Sequence, residues 1–409
     1  MENLTAVVIG ASHAGAQLCV SLRQEGWLGE IILIGDEPYL PYHRPPLSKT
    51  FLSGDKSIDD LLIRPESFYK KQNIQFKQGY VSKIDRTKKT IQLVDGTQIH
   101  YDKLAICTGA SVRKLELKGA DLKGVQYVRN AHDIQSMQQH LADSNVKHVV
   151  IVGAGYIGLE IAASLRKLNL HVSILEMASR ILQRVASPEL SQFYHQLHQQ
   201  NGVDIYTSTS IQQVNGTNRV ESVLCHDGSI LPADMVIAGI GVIPNIRLAK
   251  EAGLDIVEGG IWVDEDCITN DPDIVAAGDC TSHFSPHYHR SIRLESVPNA
   301  NEQAKIAAAT MCGNFKLYNA LPWFWSDQYG IKLQIAGLNE GYDQLVIRGD
   351  IYQSNSFAAF YFKEQKLIAA DCINRPLEFM ISKKIISDHI QIDPTHFADE
   401  AVDLKQLAV

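Results

Sequence analysis

A glycine turn that occurs twice constrains this chain more than anything else in it, each time between a short apolar run and a helix-like stretch. In the first copy Ala6-Val7-Val8-Ile9 has the length of a buried strand, Gly10-Ala11-Ser12-His13-Ala14-Gly15 follows, and a helical pattern runs to Gln24. A second apolar run, Glu30 to Ile34, ends in Gly35-Asp36-Glu37, which puts an acid about 20 residues beyond the glycines. In the second copy Lys147 to Val152 leads into Gly153-Ala154-Gly155-Tyr156-Ile157-Gly158 and a helical stretch from Ile161 to Leu168. The strand-like His171 to Leu175 then ends directly in Glu176. Strand, turn, helix, strand is the βαβ unit that cradles a dinucleotide.

The chemistry explains the spacing. The first glycine permits the turn, the middle position lets backbone approach a pyrophosphate, and the last packs helix on strand. The helix N-terminus then offers free N–H groups and partial positive charge to the phosphates. Copy one has Ser12 in the middle, which fits if its φ is negative; taken alone, this copy also reads as a glycine-rich turn in a sheet. In copy two all three glycines are present, and Glu176 is placed to accept hydrogen bonds from both ribose hydroxyls of NAD. A 2′-phosphate beside that carboxylate is repelled, so NADH is expected over NADPH. Arg180 and Arg184 follow closely; they either soften this discrimination or form a solvated helix face.

Two fingerprints imply two dinucleotides, and a flavin with a nicotinamide is the simplest pair that does chemistry, hydride passing from one to the other. Tyr101 to Ala110 reads as a strand ending in a small-residue turn, and Ala233 to Asn245 repeats that pattern, consistent with two domains built alike. Asn270 to Cys280 is a strand ending in Gly278-Asp279, whose carboxylate suits a ribityl hydroxyl.

Composition limits the alternatives. At 409 residues more than one core is expected, and 46 acidic against 38 basic residues argue against nucleic-acid binding through bulk positive charge. The seven cysteines are scattered without a C-x-x-C pair, which leaves zinc and dithiol chemistry unsupported. Their odd number, with no secretory signal, points to a reducing compartment, the cytoplasm. The apolar start Leu4 to Leu22 is interrupted by Gly10, Ser12, His13, Gly15 and Gln17, and no stretch is long and apolar enough to span a bilayer. His283, His287 and His289 invite a metal, but their Ser/Pro/Tyr-rich context reads as a loop and no metal site is expected.

These elements together resemble the two-dinucleotide flavoprotein reductases of the glutathione-reductase-like fold. Four stretches narrow the likeness: Pro41-Tyr42-His43-Arg44-Pro45-Pro46-Leu47-Ser48-Lys49, Gly155 to Glu160, Glu295-Ser296-Val297-Pro298-Asn299-Ala300, and Pro322 to Tyr329. They resemble the oxygenase-coupled, NADH-dependent ferredoxin reductases, the putidaredoxin-reductase-like family, over essentially the whole chain. The implied fold class is α/β, with two Rossmann-like dinucleotide-binding domains, for FAD and NADH, and a C-terminal α+β domain. The implied boundaries are residues 1–112 and 245–321 for FAD, 113–244 for NADH and 322–409 for the last domain, whose alternating segments read as a small antiparallel sheet with closing helices.

The resemblance also implies roles. Gly10, Ser12, Ala14 and Gly15 form the FAD pyrophosphate turn, Asp36 binds the adenosine ribose and Val81 packs near the adenine, although on its own Val81 reads as core. Arg44 belongs to the flavin set, Arg129 approaches the FAD phosphates, Asp279 holds the ribityl chain, Val297 presents its backbone to the pyrimidine, and Trp325 packs against the isoalloxazine. Gly153, Gly155, Ile157, Gly158, Glu176, Arg184 and Gly241 fall to NADH. Lys49 and Glu160 are placed together near flavin N5 as the catalytic pair, an ammonium stabilising charge that arrives with hydride and a carboxylate holding it. Read without the resemblance, they are a surface lysine and a first-turn helix acid.

Related disulfide reductases need a cysteine near the flavin, and the stretch from Arg44 to Ser48 has none. A flavin takes two electrons and releases them singly, so the expected acceptor is a separate small protein, a [2Fe-2S] ferredoxin or a rubredoxin, feeding an oxygenase such as a cytochrome P450. Arg290, Arg293, Arg375, Lys383 and Lys384, with Pro376 to Phe379 shaping the rim, are the candidate docking residues; as ordinary solvated cations they would mean nothing. A monomer or weak dimer is expected. Two rival readings are a flavin NADH oxidase or monodehydroascorbate-type reductase with a small-molecule acceptor, and a slow signalling flavoprotein like the apoptosis-inducing-factor relatives.

Overall fold

The computed structural model describes residues 3–143 and 145–407. They fall into two compact units: one of residues 3–43, 58–111 and 243–322, the other of residues 44–57, 112–143, 145–242 and 323–407.

In the first unit the run Thr5–Ile9, β-branched apart from Ala6, becomes the middle strand of a five-stranded parallel sheet. The order is Ile274–Ala276, Lys103–Ile106, Thr5–Ile9, Glu30–Gly35, Ile74–Gln78. Its strands other than the edge strand Ile74–Gln78 are largely apolar on both faces, as a sheet covered on both sides requires. One face packs on the helices His13–Gln24 and Val297–Met311 through Leu18, Leu22, Ala304 and Ala308; the other, with Val7, Ile9 and Leu104, packs on Val81, Ile84, Ile91 and Leu254. Val81 is therefore a core residue of the strand Val81–Asp85.

The second unit repeats this plan. Its parallel sheet runs Val203–Tyr206, His171–Leu175, His148–Val152, Met235–Ala238, Val125–Tyr127, again with the fingerprint strand in the middle. In each unit a three-stranded antiparallel sheet is inserted before the strand that pairs on the fingerprint strand's other side: Val81–Asp85, Thr90–Leu93 and Gln98–His100 in one, Ile211–Asn215, Ser222–Cys225 and Ile230–Pro232 in the other. The likeness read between Tyr101–Ala110 and Ala233–Asn245 is this repeated return strand, at Lys103–Ile106 and Met235–Ala238.

The last 80-odd residues form a five-stranded antiparallel sheet, Trp323–Gln328, Ile331–Gly337, Lys366–Ile373, Phe357–Lys363, Gln344–Arg348. The helix Pro376–Ser387 lies on it, with Phe379 and Ile385 buried. The segment Trp323–Gln328 is itself an edge strand of this sheet. Among the described residues no helix is long and apolar enough to cross a membrane.

Candidate active site

Both glycine turns sit where parallel strands leave the sheet centre and feed a helix. Gly10 has φ +110°, and a Cβ there would strike the backbone carbonyl of Cys107; one at Gly15 would strike the carbonyl of Gly10. Gly153, at φ +105°, and Gly158 meet the same obstacles in the carbonyls of Gly239 and Gly153. These four positions bring backbone against backbone, so only glycine fits. The middle positions differ in kind. Ser12 is extended, φ −126°, which any residue adopts, so the serine costs the turn nothing. Gly155 has φ −79°, and a Cβ on it would meet nothing within 4 Å: the space beside the turn is open.

At the N-cap of the first fingerprint helix the Ser12 side chain makes no capping hydrogen bond, and the second has a glycine, Gly155, there. The helix Ala131–Leu141, by contrast, carries a complete capping box between Asn130 and Asp133. A helix start that follows a glycine turn on a sheet presents the N–H groups and partial positive charge that a pyrophosphate needs, so the residues present fit a dinucleotide at each turn.

In the first unit three of the expected residues converge. Gly278, at φ +89°, would place a Cβ 3.3 Å from that of Ala14 and 3.6 Å from that of Ala300, so the Gly278-Asp279 turn lies between the two helix starts. Gln303 holds it there, its Oε1 accepting from Gly278 N–H at 2.8 Å and from Thr281 Oγ1 at 2.9 Å. Val297 opens its helix behind the N-cap Ser296, whose hydroxyl accepts from Asn299 N–H. Gln303, Asn299 and Ser296 thus position Asp279 and Val297; only the buried polar register of the helix could have signalled them. Asp36 is exposed just past the end of the strand Glu30–Gly35.

At the second turn Glu176 is pinned by backbone. Its Oε2 accepts from Ala154 N–H at 2.9 Å and its Oε1 from Ala178 N–H at 2.8 Å, which locks the carboxylate against the turn. Ile157 is 46% exposed in the helix's first turn and Gly241, φ +98°, has open space at its Cβ, so both border free volume. Arg184 is exposed. Arg180 turns the other way: its guanidinium donates to the carbonyls of Ala186 and Gln183, at 2.8 and 3.1 Å, and so holds the loop together.

Lys49 and Glu160, 111 residues apart, meet within the second unit. Nζ of Lys49 lies 2.5 Å from Oε2 of Glu160, whose side chain is only 3% exposed. The loop brings Lys49 in through the single 3-10 turn Pro45–Ser48, where two prolines preset φ, and Ser164 anchors it by donating to the carbonyl of Ser48 at 2.7 Å. Glu160 is in the first two turns of the helix Tyr156–Lys167 but faces inward. Two hydroxyls that carried no role in the sequence complete its shell: Ser48 donates to Oε2 and Ser326 to Oε1, each at 2.7 Å. A buried carboxylate tolerates such a place only when paired and hydrogen-bonded, and both conditions hold. Arg44 joins the same loop to Arg129, donating from Nη1 to its carbonyl at 2.7 Å.

Trp325 alternates with Ser326 along its strand. Phe324 and Ser326 face the helix Tyr156–Lys167, with Phe324 5.1 Å from the ring of Tyr156; Trp323 and Trp325 share the other face, 5.6 Å apart. Trp323 packs on Phe379, and Lys383 lies over it at 5.0 Å. Of the proposed docking cations, Arg375 is bound up with Glu378 and Glu400 at 3.1 and 2.8 Å, Arg293 with Glu295 at 2.7 Å, and Lys384 with Asp388 at 3.5 Å; Arg290 is exposed.

All seven cysteines are free, and only Cys312 is not fully buried. Burial pushes the thiols of Cys280 and Cys107 up, away from the reactive thiolate. The histidines diverge: His283 is buried against Tyr318, its pKa pulled down to about 4 by burial, while His289 is exposed. Among the described residues no three potential ligands are gathered for a metal.

Two doubly anchored glycine turns on twin parallel sheets define a protein with two dinucleotide cradles, and the pyridine nucleotide-disulphide oxidoreductase family matches residues 4–304 of this chain. The Reductase C-terminal family matches residues 323–408. The chain belongs to these families, and within them to the putidaredoxin-reductase-like ferredoxin reductases. Putidaredoxin reductase of Pseudomonas putida is 42% identical over 412 residues, 99% of this chain and 97% of the relative. A rubredoxin-NAD(+) reductase from the same species is 35% identical over 90% of this chain and 96% of its own. A putidaredoxin reductase solved in covalent complex with putidaredoxin superposes with a TM-score of 0.95 at 42% identity, covering 100% of this chain and 98% of that one.

Proposed function

We propose that this protein is an FAD-containing, NADH-dependent reductase that passes electrons to a small iron–sulfur protein, a ferredoxin, or to a rubredoxin, serving an oxygenase. The observation that carries the reading is the pair of complete dinucleotide cradles in one chain, one of them closed by a carboxylate locked against its own turn. When bound, FAD supplies the chemistry, accepting hydride and giving up electrons one at a time.

The chain's own residues bind, orient and shield. The N–H groups at the start of the helix His13–Gln24, with Gly10, Ser12, Ala14 and Gly15, hold the FAD pyrophosphate; Asp36, Asp279 and Val297 complete the first unit's share, and Val81 packs near the adenine, an assignment that rests on the family likeness. Arg44, Lys49, Arg129 and Trp325 stand in the second unit, and their assignment to FAD rests on the family likeness. Gly153, Gly155, Ile157, Gly158, Glu176, Arg184 and Gly241 hold NADH, with Glu176 accepting from the ribose hydroxyls. Lys49 and Glu160 serve the hydride step: the ammonium stabilises the negative charge that arrives, and the buried carboxylate keeps it in place. Residues 1–112 with 245–321, 113–244 and 322–409 are the corresponding functional domains, and the cytoplasm is the proposed location.

No thiol relay is built from the buried cysteines, so a carrier protein takes the electrons. The test is an anaerobic absorbance titration with NADH and, separately, NADPH. One equivalent of NADH should bleach the oxidised flavin without a thiolate-to-flavin band, and the reduced protein should then reduce a two-iron ferredoxin far faster than oxygen or ascorbate radical. A second equivalent consumed, or a thiolate band, would move the chain to the disulfide or peroxide reductases.

A further inference from the structure

The Ser326 hydroxyl that meets Glu160 is the last link of a longer buried chain. Gln328, two residues along on the same strand face, donates from Nε2 to Ser326 Oγ at 3.1 Å. Its Oε1 is 2.8 Å from His198 Nε2, and His198 Nδ1 is 3.1 Å from the hydroxyl of Tyr329. Ser326 and His198 are fully buried and Gln328 is 1% exposed.

The direction of every bond follows from what each atom is able to do. An amide oxygen only accepts, so His198 Nε2 carries its proton and donates to Gln328. Burial holds the His198 imidazole neutral, its pKa lowered to about 4, which leaves Nδ1 bare to accept from Tyr329 O–H. The Gln328 amide N–H then occupies a lone pair of Ser326, whose own proton goes to Glu160. Tyr329, His198, Gln328 and Ser326 therefore all donate the same way, toward one carboxylate. Donors aligned in a dry interior polarise one another, and the last bond, onto a charge, is the strongest.

We propose that Ser326, Gln328 and His198 are positioning residues for the Lys49–Glu160 pair, a one-way hydrogen-bond relay that orients the Glu160 carboxylate and so sets where the Lys49 ammonium stands. The proposal rests on the role given above to that pair. Glu160 is faced by Lys49 and Ser48 from the loop, Ser326 from the edge strand and Tyr194 from the helix Pro188–Gln200; His198 is faced by Tyr329 and by His195 on its own helix. Of these only Lys49 brings a positive charge to Glu160, so orientation of the carboxylate decides where that charge is presented.

Two readouts test it on the FAD-loaded protein. Nitrogen-15 spectra of the histidine rings should show His198 as the neutral Nε2–H tautomer, unchanged from about pH 8 to about pH 5.5; an Nδ1–H tautomer or a ring that protonates in that range overturns the relay. In stopped flow, Ser326→Ala should lower the limiting rate of flavin reduction about tenfold with NADH affinity held within about twofold, and Ser326→Thr should recover most of it. A wild-type limiting rate in both Ser326→Ala and Gln328→Leu also overturns it, and the tautomer measurement on the unaltered protein decides the matter should either variant fail to fold. Glu160→Gln separates the two ideas: slow Glu160→Gln with fast Ser326→Ala and fast Gln328→Leu removes the relay alone, whereas a wild-type rate in Glu160→Gln removes the role of the pair.

Discussion

The turn Gly10–Gly15 and the turn Gly153–Gly158 start from the same strand–turn–helix unit and part at two places. The middle residue is Ser12 in one and Gly155 in the other, and the acid that follows the second strand is displaced by one residue. Gly10 N–H donates to Ile34 and Gly153 N–H to Leu175, each at 2.8 Å, so the strands are in the same register and Gly35 stands where Glu176 does. Gly35 has no room for a side chain, because a Cβ there would lie 2.6 Å from that of Ala11 and 3.2 Å from Phe76. On the neighbouring strand of the second sheet the residue in register is Ile205, not an aromatic ring. The acid of the first unit therefore comes one residue later, as the exposed Asp36, while Glu176 sits close enough for the turn's own N–H to pin it. Positions where backbone packs on backbone are held by the fold; positions that face outward are left to the ligand.

That contrast can be broken most directly at the first glycine of the second turn. Gly153→Ala adds a Cβ onto the carbonyl of Gly239 at a φ unsuited to it, and should cost about 3 kcal/mol of stability in chemical denaturation, whereas Gly155→Ala, two residues away, should cost less than about 0.5 kcal/mol. Equal losses would show that the open space at Gly155 is not real. Next in size, Glu176→Ala should weaken NADH about thirtyfold, narrow the gap to NADPH and leave FAD content unchanged, as measured by equilibrium binding of each nucleotide. Unchanged affinity and preference would detach the pinned carboxylate from cofactor choice. The smallest effect belongs to Ser12→Gly, which should change stability by under about 0.5 kcal/mol and leave FAD retention as it is, since Ser12 already has an unstrained φ. A large loss of flavin in that variant would mean that the serine hydroxyl, and not only its small size, serves the first cradle.

Much of this was legible beforehand for plain reasons. The helix from His13 to Gln24 and the strand from His171 to Leu175 fall where periodicity and the glycines put them, because a buried parallel strand must be continuously apolar and the turn must be glycine. The edge strand Trp323–Gln328 was harder to see: three rings followed by three polar residues show no period of two, and only the pairing with a second strand, Ile331–Gly337, makes it a strand. Arg180 and Arg375 show the same limit from the other side. A cation in a sequence looks available, and only the fold shows Arg180 spent on loop carbonyls and Arg375 on Glu378 and Glu400.

By itself the amino-acid sequence determined the two βαβ cradles, the acid beside the second of them and the absence of a paired-cysteine motif, since these depend on spacing within about 20 to 30 residues and on residue type. Tertiary structure alone decided which side chains touch across long separations. Glu160, whose pairing with Lys49 the family resemblance already implied, gains Ser48 and Ser326 as hydrogen-bond donors, and Gln303 fixes the turn at Asp279, because packing brings together residues whose partners no local period records.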